Sequence, residues 1–228
     1  MFEVITGGPQ TTVQDLGRPG YLHTGMPPSG AFDSFSLRVA NRLVGNNPGG
    51  RYLVGRDPGD AGLEVLLMGC RLRATADHLI AVTGGDLTPL HNGAPLPMWQ
   101  AVAIHAGDEI TFVAPRAGVR AYLAVAGGID VPTFLGSRAT NVRAAVGGIE
   151  GRALKPGDQL LLCNRRLRLR AGSSADSTAS ETHIVYTRAD IQADPTKTCA
   201  AVNTDLTVTL TRTPTGSMVP PGTMLTYT

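Results

Sequence analysis

DSFSLRVANRLVG, residues 33–45, predicts the one clear helix of this chain. Asp33 suits the N-cap, because its carboxylate can accept the free N–H groups of the first turn. Phe35, Val39 and Leu43 recur every four residues over 34–44, and Ala40 and Val44 widen that apolar face. Ser34, Arg38 and Asn41 stay polar, and Gly45 supplies a left-handed stop. Outward from this helix the body reads as short strands. Phe2–Thr6, Leu63–Met68, Leu79–Thr83, Ala101–Ile104, Ile110–Val113 and Ala121–Val125 are apolar or alternating runs, most with Gly, Pro, Asp or Asn close by. Asn92-Gly93 is a hairpin signal, because both central residues of a type I′ turn need positive φ. His105–Asp108 (HAGD) and Lys155–Asp158 (KPGD) read as tight turns feeding the strands after them. Many strands with one helix (about 34–44) make the chain mainly β, closed or nearly closed. A parallel α/β sheet is disfavoured for want of crossover helices.

Composition narrows the function. The 228 residues suffice for one or two domains with a substantial core. A net charge of +2 argues against a nucleic-acid binder that works by bulk charge. The longest apolar runs, such as Ala121–Ala126, fall far short of a membrane span, and no basic-then-apolar leader opens the sequence. No membrane partner and a cytoplasmic location are expected. Cys70, Cys163 and Cys199 are far apart without CxxC spacing, which fits reduced thiols, and scattered histidines predict no metal site.

Composition changes near residue 170. Residues 1–170 hold 25 of the 28 glycines and 10 threonines, whereas 171–228 hold 3 glycines and 14 threonines. Residues 1–170 are therefore read as the body, 171–182 as a linker around GSSADSTAS (172–180), and 183–228 as a Thr-rich tail. The tail contains two strand-like runs, Ile184–Tyr186 and Leu206–Leu210. RRLRLR (165–170) reads as a solvated edge strand with Leu167 and Leu169 inward, or as an edge for a partner subunit.

Common catalytic signatures are missing: no GxSxG elbow, GxxxxGK[ST] loop or GxGxxG fingerprint occurs. The densest polar loop is Thr11–Asp33, which gathers Gln14, Asp15, Arg18, His23, Ser29 and Asp33 among glycines and prolines. Long ordered polar loops usually have a role. Arg18 can clamp a carboxylate with two N–H groups, or it can pair with Asp15 merely to hold the loop. A second cluster is Tyr122–Asp130 (YLAVAGGID) followed by Leu135–Thr140 (LGSRAT). The backbone N–H groups of Gly127 and Gly128 can bind a developing oxyanion, or the two glycines can simply form a tight turn. Thr83–Asp86 (TGGD) and Gly147-Gly148 with Gly151-Arg152 add further glycine turns. Met98 and Trp99 fit a pocket mouth or the core.

TTVQDLGRPGY, PPSGAFD, ANRLVGN, AVTGGD, YLAVAGGID, LGSRAT, and GGIEGR with KPGDQL occur in that order. Together, over about residues 1–163, they resemble the biotin-dependent carboxyltransferase family, which includes allophanate hydrolase subunit 2, the carboxyltransferase part of urea amidolyase and the C component of 5-oxoprolinase. The resemblance implies a cyclophilin-like β-barrel that works beside a related subunit 1 as a heteromer. It implies an ATP-dependent complex acting on an amide or lactam, by 5-oxoproline opening or by carboxyl transfer to a urea-type nitrogen. Carboxybiotin or ATP would arrive through partner subunits, with no cofactor bound covalently; the Met-Lys-Met biotin-attachment turn is missing. Asp15, Arg18 and Asp33 are then the candidate catalytic residues, with Arg18 holding a carboxylate and Asp15 or Asp33 orienting it or taking a proton. Gln14, Ser29, Gly30, Tyr122, Gly127, Gly128, Ser137 and Thr140 are the candidate substrate-binding residues. The SDRMGYRL-like stretch of longer members is missing after Cys163, so a truncated remnant serving as a regulatory or binding module, like the family's kinase-inhibitor antagonists, is the alternative.

Overall fold

The structure, a computed structural model, describes residues 1–50 and 57–162. Its strands are β1 (Phe2–Gly7), β2 (Gln10–Gln14), β3 (Gly62–Leu66), β4 (Cys70–Ala74), β5 (His78–Asp86), β6 (Pro89–His91), β7 (Ala94–Pro95), β8 (Ala101–Ile104), β9 (Glu109–Phe112), β10 (Ala117–Val125) and β11 (Gln159–Leu160), with helix α1 (Ser34–Leu43) between β2 and β3. Every ladder is antiparallel. One sheet runs β11-β1-β4-β9-β6-β7 and the other β2-β3-β10-β5-β8. All six predicted strand runs are strands. The Asn92-Gly93 turn joins β6 to β7 with φ of +50° and +82°.

The two sheets share one core. Phe2, Val4, Leu72, Ile110 and Phe112 of the first meet Leu63, Val65, Ile80, Val82 and Leu123 of the second, and all are buried. The other face of the second sheet is covered by α1, where Ala40 and Val44 meet Ala81 and Ala124. With both faces covered, β10 reads as an unbroken apolar run from Ala121 to Val125.

The mainly-β architecture with one helix is as expected, but the barrel is met only in part. Among the described residues no ladder joins the ends of either sheet. The outer edge of β2 is covered by loops: Leu154 N–H donates to Thr11 O and Thr140 N–H to Val13 O. Strands β2 and β4 escaped the sequence reading, the first inside the polar loop. In β4 the alternation was present, with Cys70, Leu72 and Ala74 inward and Arg71 and Arg73 outward against Glu109 of β9.

Helix α1 begins and ends as predicted. Asp33 accepts the Ser36 N–H at 3.1 Å. At the far end Gly45 N–H donates to Arg42 O and Asn46 N–H to Asn41 O, the paired bonds that a left-handed residue after a helix permits. The buried face differs from the predicted one. Ser36, Leu37, Ala40 and Asn41 face the sheet, while Phe35 is 68% exposed. The reason is polar. Asn41 Nδ2 donates to Asp60 O at 2.8 Å, and its Oδ1 accepts from buried Asn46, which also bonds Val125 O. That network turns Asn41 inward and leaves Phe35 and Arg42 exposed and Val39 half-buried.

Both predicted tight turns form in one way. Asp108 and Asp158 each accept, on a carboxylate oxygen at 2.8 Å, the N–H of the residue three before. Met98 borders the core and Trp99 is largely exposed. Cys70 is a buried free thiol. Cys163, Cys199, the RRLRLR run, the 171–182 linker and the 183–228 tail lie outside the described residues. Among the described residues no helix is long and apolar enough to cross a membrane, and no three His, Cys, Asp or Glu side chains gather to hold a metal ion.

Candidate functional site

Six consecutive residues, Pro28–Asp33 (PSGAFD), thread the candidate residues together. Pro28 O accepts the Arg18 N–H at 2.7 Å, and Ala31 N–H donates to Asp15 O at 2.8 Å. Ser29 Oγ accepts from Asn141 Nδ2 at 3.1 Å. Gly30 crosses Leu16-Gly17 so closely that a Cβ would lie 2.7 Å from the Gly17 nitrogen, and its φ is +93°. Only glycine fits that crossing. Phe32 N–H then donates to Glu64 and Asp33 N–H to the Tyr122 hydroxyl, at 2.8 and 2.7 Å.

Behind this segment lies a cage of buried polar side chains. Asp15 accepts from Gly17 N–H, Ser137 Oγ and Arg138 N–H, at 2.7, 2.7 and 2.6 Å. Burial nevertheless pushes its carboxyl above the ordinary range, against the pull of these donors. Arg18 donates through Nε to Phe134 O at 3.1 Å and through Nη2 to Ala139 O. Burial lowers its guanidinium, with Asp15 opposing. Gln14 donates to Thr12 and to Thr140 O, and Thr140 Oγ1 donates to Val13 O. The cage therefore fastens the end of β2 to the 134–140 loop.

Each sequence candidate now has a place. Asp15, Arg18, Gln14, Ser137 and Thr140 come together, and Ser29 and Gly30 adjoin them. Asp33 stands apart at the head of α1, its carboxylate held by Ser36. Two readings need correction. Gly127 N–H donates to Asn46 Oδ1 at 2.8 Å and Gly128 N–H to Val125 O at 2.9 Å. With φ of +95° and +74° these glycines make a tight turn, and neither N–H is left for an oxyanion. The Ser137 and Thr140 hydroxyl hydrogens likewise go to internal acceptors. Asp15 and Arg18 form no direct ion pair; both bind the 134–139 loop instead. Among these side chains, Arg18 Nη1, Arg138 Nε and Gln14 Oε1 are buried polar atoms with no partner among the described residues.

The sequence reading missed Glu64 and Arg120. Glu64 accepts from Phe32 N–H, Tyr122 Oη at 2.9 Å and Arg120 Nε at 3.2 Å. Arg120 lies over the Phe32 ring, 4.5 Å from its centroid. Burial raises the Tyr122 phenol, so it stays a neutral donor at neutral pH. The signal was one charged residue inside the apolar strand Gly62–Leu66.

A family model for the carboxyltransferase domain, subdomain A and B, matches residues 24–213. The chain belongs to this carboxyltransferase domain family. The match continues past residue 163, where the quoted motifs stop. Over 161 residues the chain is 40% identical to the C component of 5-oxoprolinase from Escherichia coli (strain K12), covering 70% of this chain and 48% of that protein. Over 181 residues it is 40% identical to urea amidolyase of Lachancea kluyveri, covering 79% of this chain and 9% of that protein. The crystal structure of the Kluyveromyces lactis urea amidolyase superposes with a TM-score of 0.66 at 40% identity, over 75% of this chain and 10% of that one. The chain thus spans about half of the one curated relative and about a tenth of the other.

Proposed function

We propose that this chain is the carboxyltransferase-type part of a cytoplasmic, heteromeric, ATP-dependent enzyme that acts on an amide, lactam or urea nitrogen. The observation that carries the reading is that one body of about 160 residues matches both the 5-oxoprolinase C component and urea amidolyase at 40% identity. In carboxyl transfer the amide-type nitrogen is the nucleophile, and a weak one, whereas in lactam opening the ring carbonyl is attacked and the nitrogen leaves. Carboxybiotin, delivered by a related partner subunit, would supply an activated carboxyl group. Arg18 Nη1 and Arg138 Nε are buried N–H groups with no acceptor among the described residues, donors that a carboxylate would take up once the 134–140 loop shifts to admit it. Asp15 does not reach a substrate proton in this arrangement, since it is fully buried and accepts three bonds. Its part is to hold Ser137 and Arg138 in place. ATP would be handled by a partner subunit.

The internal commitment of the Gly127, Gly128, Ser137 and Thr140 donors favours a second reading, a binding or regulatory module without turnover. Co-purification with the related subunit, followed by ATP-dependent assays on 5-oxoproline and on urea, separates the two. Turnover of 5-oxoproline, or biotin-dependent turnover of urea, is the expected result. A stable complex without turnover of either supports the module.

A further inference from the structure

Of the apolar stripe that the sequence placed on α1, Ala40 and Val44 are buried against the sheet, while its leading residue, Phe35, points away from the protein. Phe35 is 68% exposed, and the neighbouring Phe32 is 79% exposed. Val39 follows Phe35 one turn later and is half-buried. Leu43 leans back onto the small cluster under the helix. Arg38 and Arg42 lie three and seven residues after Phe35, so the four side chains 35, 38, 39 and 42 share one helical face. The opposite face is already filled by Leu37, Ala40 and Val44 against the sheet. The outer face is mixed: one exposed and one half-buried apolar side chain, Phe35 and Val39, set among two arginines.

Charge says what the cover must carry. SFSLRVANRL contains no acid, and its two arginines stand one turn apart, where like charges repel. Neither has an ion-pair partner among the described residues. The nearby carboxylate of Asp33 is held by Ser36. We infer that the outer face of α1 docks an acidic amphipathic helix of another polypeptide, its apolar seam on Phe35 and Val39 and its carboxylates on Arg38 and Arg42. The i, i+3, i+4, i+7 layout lines these side chains up along one face, against which a second helix can pack lengthwise. The inference rests on α1 alone and stands whether or not the chain supports amide chemistry.

The test uses the full-length protein and a synthetic helical peptide with a Leu seam flanked by Glu, labelled for fluorescence anisotropy. Saturable binding is expected, weakened about tenfold or more by the double variant Arg38→Glu/Arg42→Glu and by Phe35→Ala, and weakened by salt, as charge pairing at an interface predicts. Circular dichroism should show both variants folded, since the altered side chains do not lie in the core. The same peptide with Lys in place of Glu should not bind. The inference is overturned by no binding, by equal binding of the Lys peptide, by variants that bind like wild type, or by a preference for phosphatidylserine vesicles over the peptide. Enzyme assays of the assembled complex play no part in this readout, so failure of the proposed activity and failure of the docking face remain distinct.

Discussion

The core between the sheets and the cage beside β2 are both buried, but they are held by different forces. In the core, Phe2, Leu72, Ile110 and Phe112 are held by non-directional apolar packing, which tolerates local readjustment. In the cage, Asp15, Arg18, Gln14, Ser137 and Thr140 are held by directed hydrogen bonds that must all be present at once. A buried polar group that loses its partner retains its desolvation penalty, so the cage should fail more sharply than the core. It also fixes the geometry of the 134–140 loop more tightly.

The largest effect should come from Asp15→Ala. It strands Ser137 Oγ and two backbone N–H groups in a dry setting, and a loss of about 3–5 kcal/mol in urea unfolding is expected. Asp15→Asn keeps the shape and should lose less. If Asp15→Ala loses under about 1 kcal/mol, the cage is wet and the contrast with the core breaks. Leu72→Ala, in the middle of β4 and fully buried, should lose about 2–4 kcal/mol without moving the cage loops. Asp33→Ala removes the cap of α1 and should lose about 1 kcal/mol, read from the same unfolding curves.

The smallest effect concerns pH, and here the carboxylates that close the two tight turns and the carboxylate inside the cage act in opposite directions. Asp108 is held below the ordinary carboxylate range, first by the His105 N–H and then by Asn92 and His91. The unfolded chain therefore takes up its proton first as pH falls. The stability Asp108 contributes is present above about pH 4 and is lost on going to more acid solution. Asp158, held down first by Arg152, behaves alike. Asp15, raised by burial, has the reverse sign: its contribution declines as pH rises from the ordinary carboxylate range towards its raised value. Asp108→Asn should thus flatten the acid limb of a stability profile, whereas Asp15→Asn should leave that limb in place. An unchanged acid limb in Asp108→Asn would contradict the assignment.

Local signals in the sequence were read well. The Asp33 cap, the Gly45 stop, the Asn92-Gly93 hairpin and the two Asp-closed turns depend on residues within a few positions of each other, and all formed. The motifs TTVQDLGRPGY and LGSRAT hold the residues that meet at Asp15 and Ser137, a meeting the sequence alone did not show. What the sequence did not show was where each donor points. Gly127 finds its acceptor in Asn46, and Arg18 finds carbonyls at Phe134 and Ala139, more than a hundred residues away in the second case. The face of α1 was misread for the same reason. The choice between Phe35 and Asn41 as the inward residue was made by Asp60 and Asn46, not by helical periodicity. Glu64 was visible as a lone charge in an apolar strand, but its partners Tyr122 and Arg120 come from β10.

The central claim is that Arg18 acts first as the fastening of the 134–140 loop, and only its remaining N–H is left for a ligand. Hydrogen–deuterium exchange on Arg18→Ala, compared with wild type, tests it most directly. The account predicts protection lost from residues 134–148 while strands β1, β4 and β9 exchange as before. Unchanged protection across 134–148 would contradict it, and would make Arg18 a ligand clamp that the fold does not need.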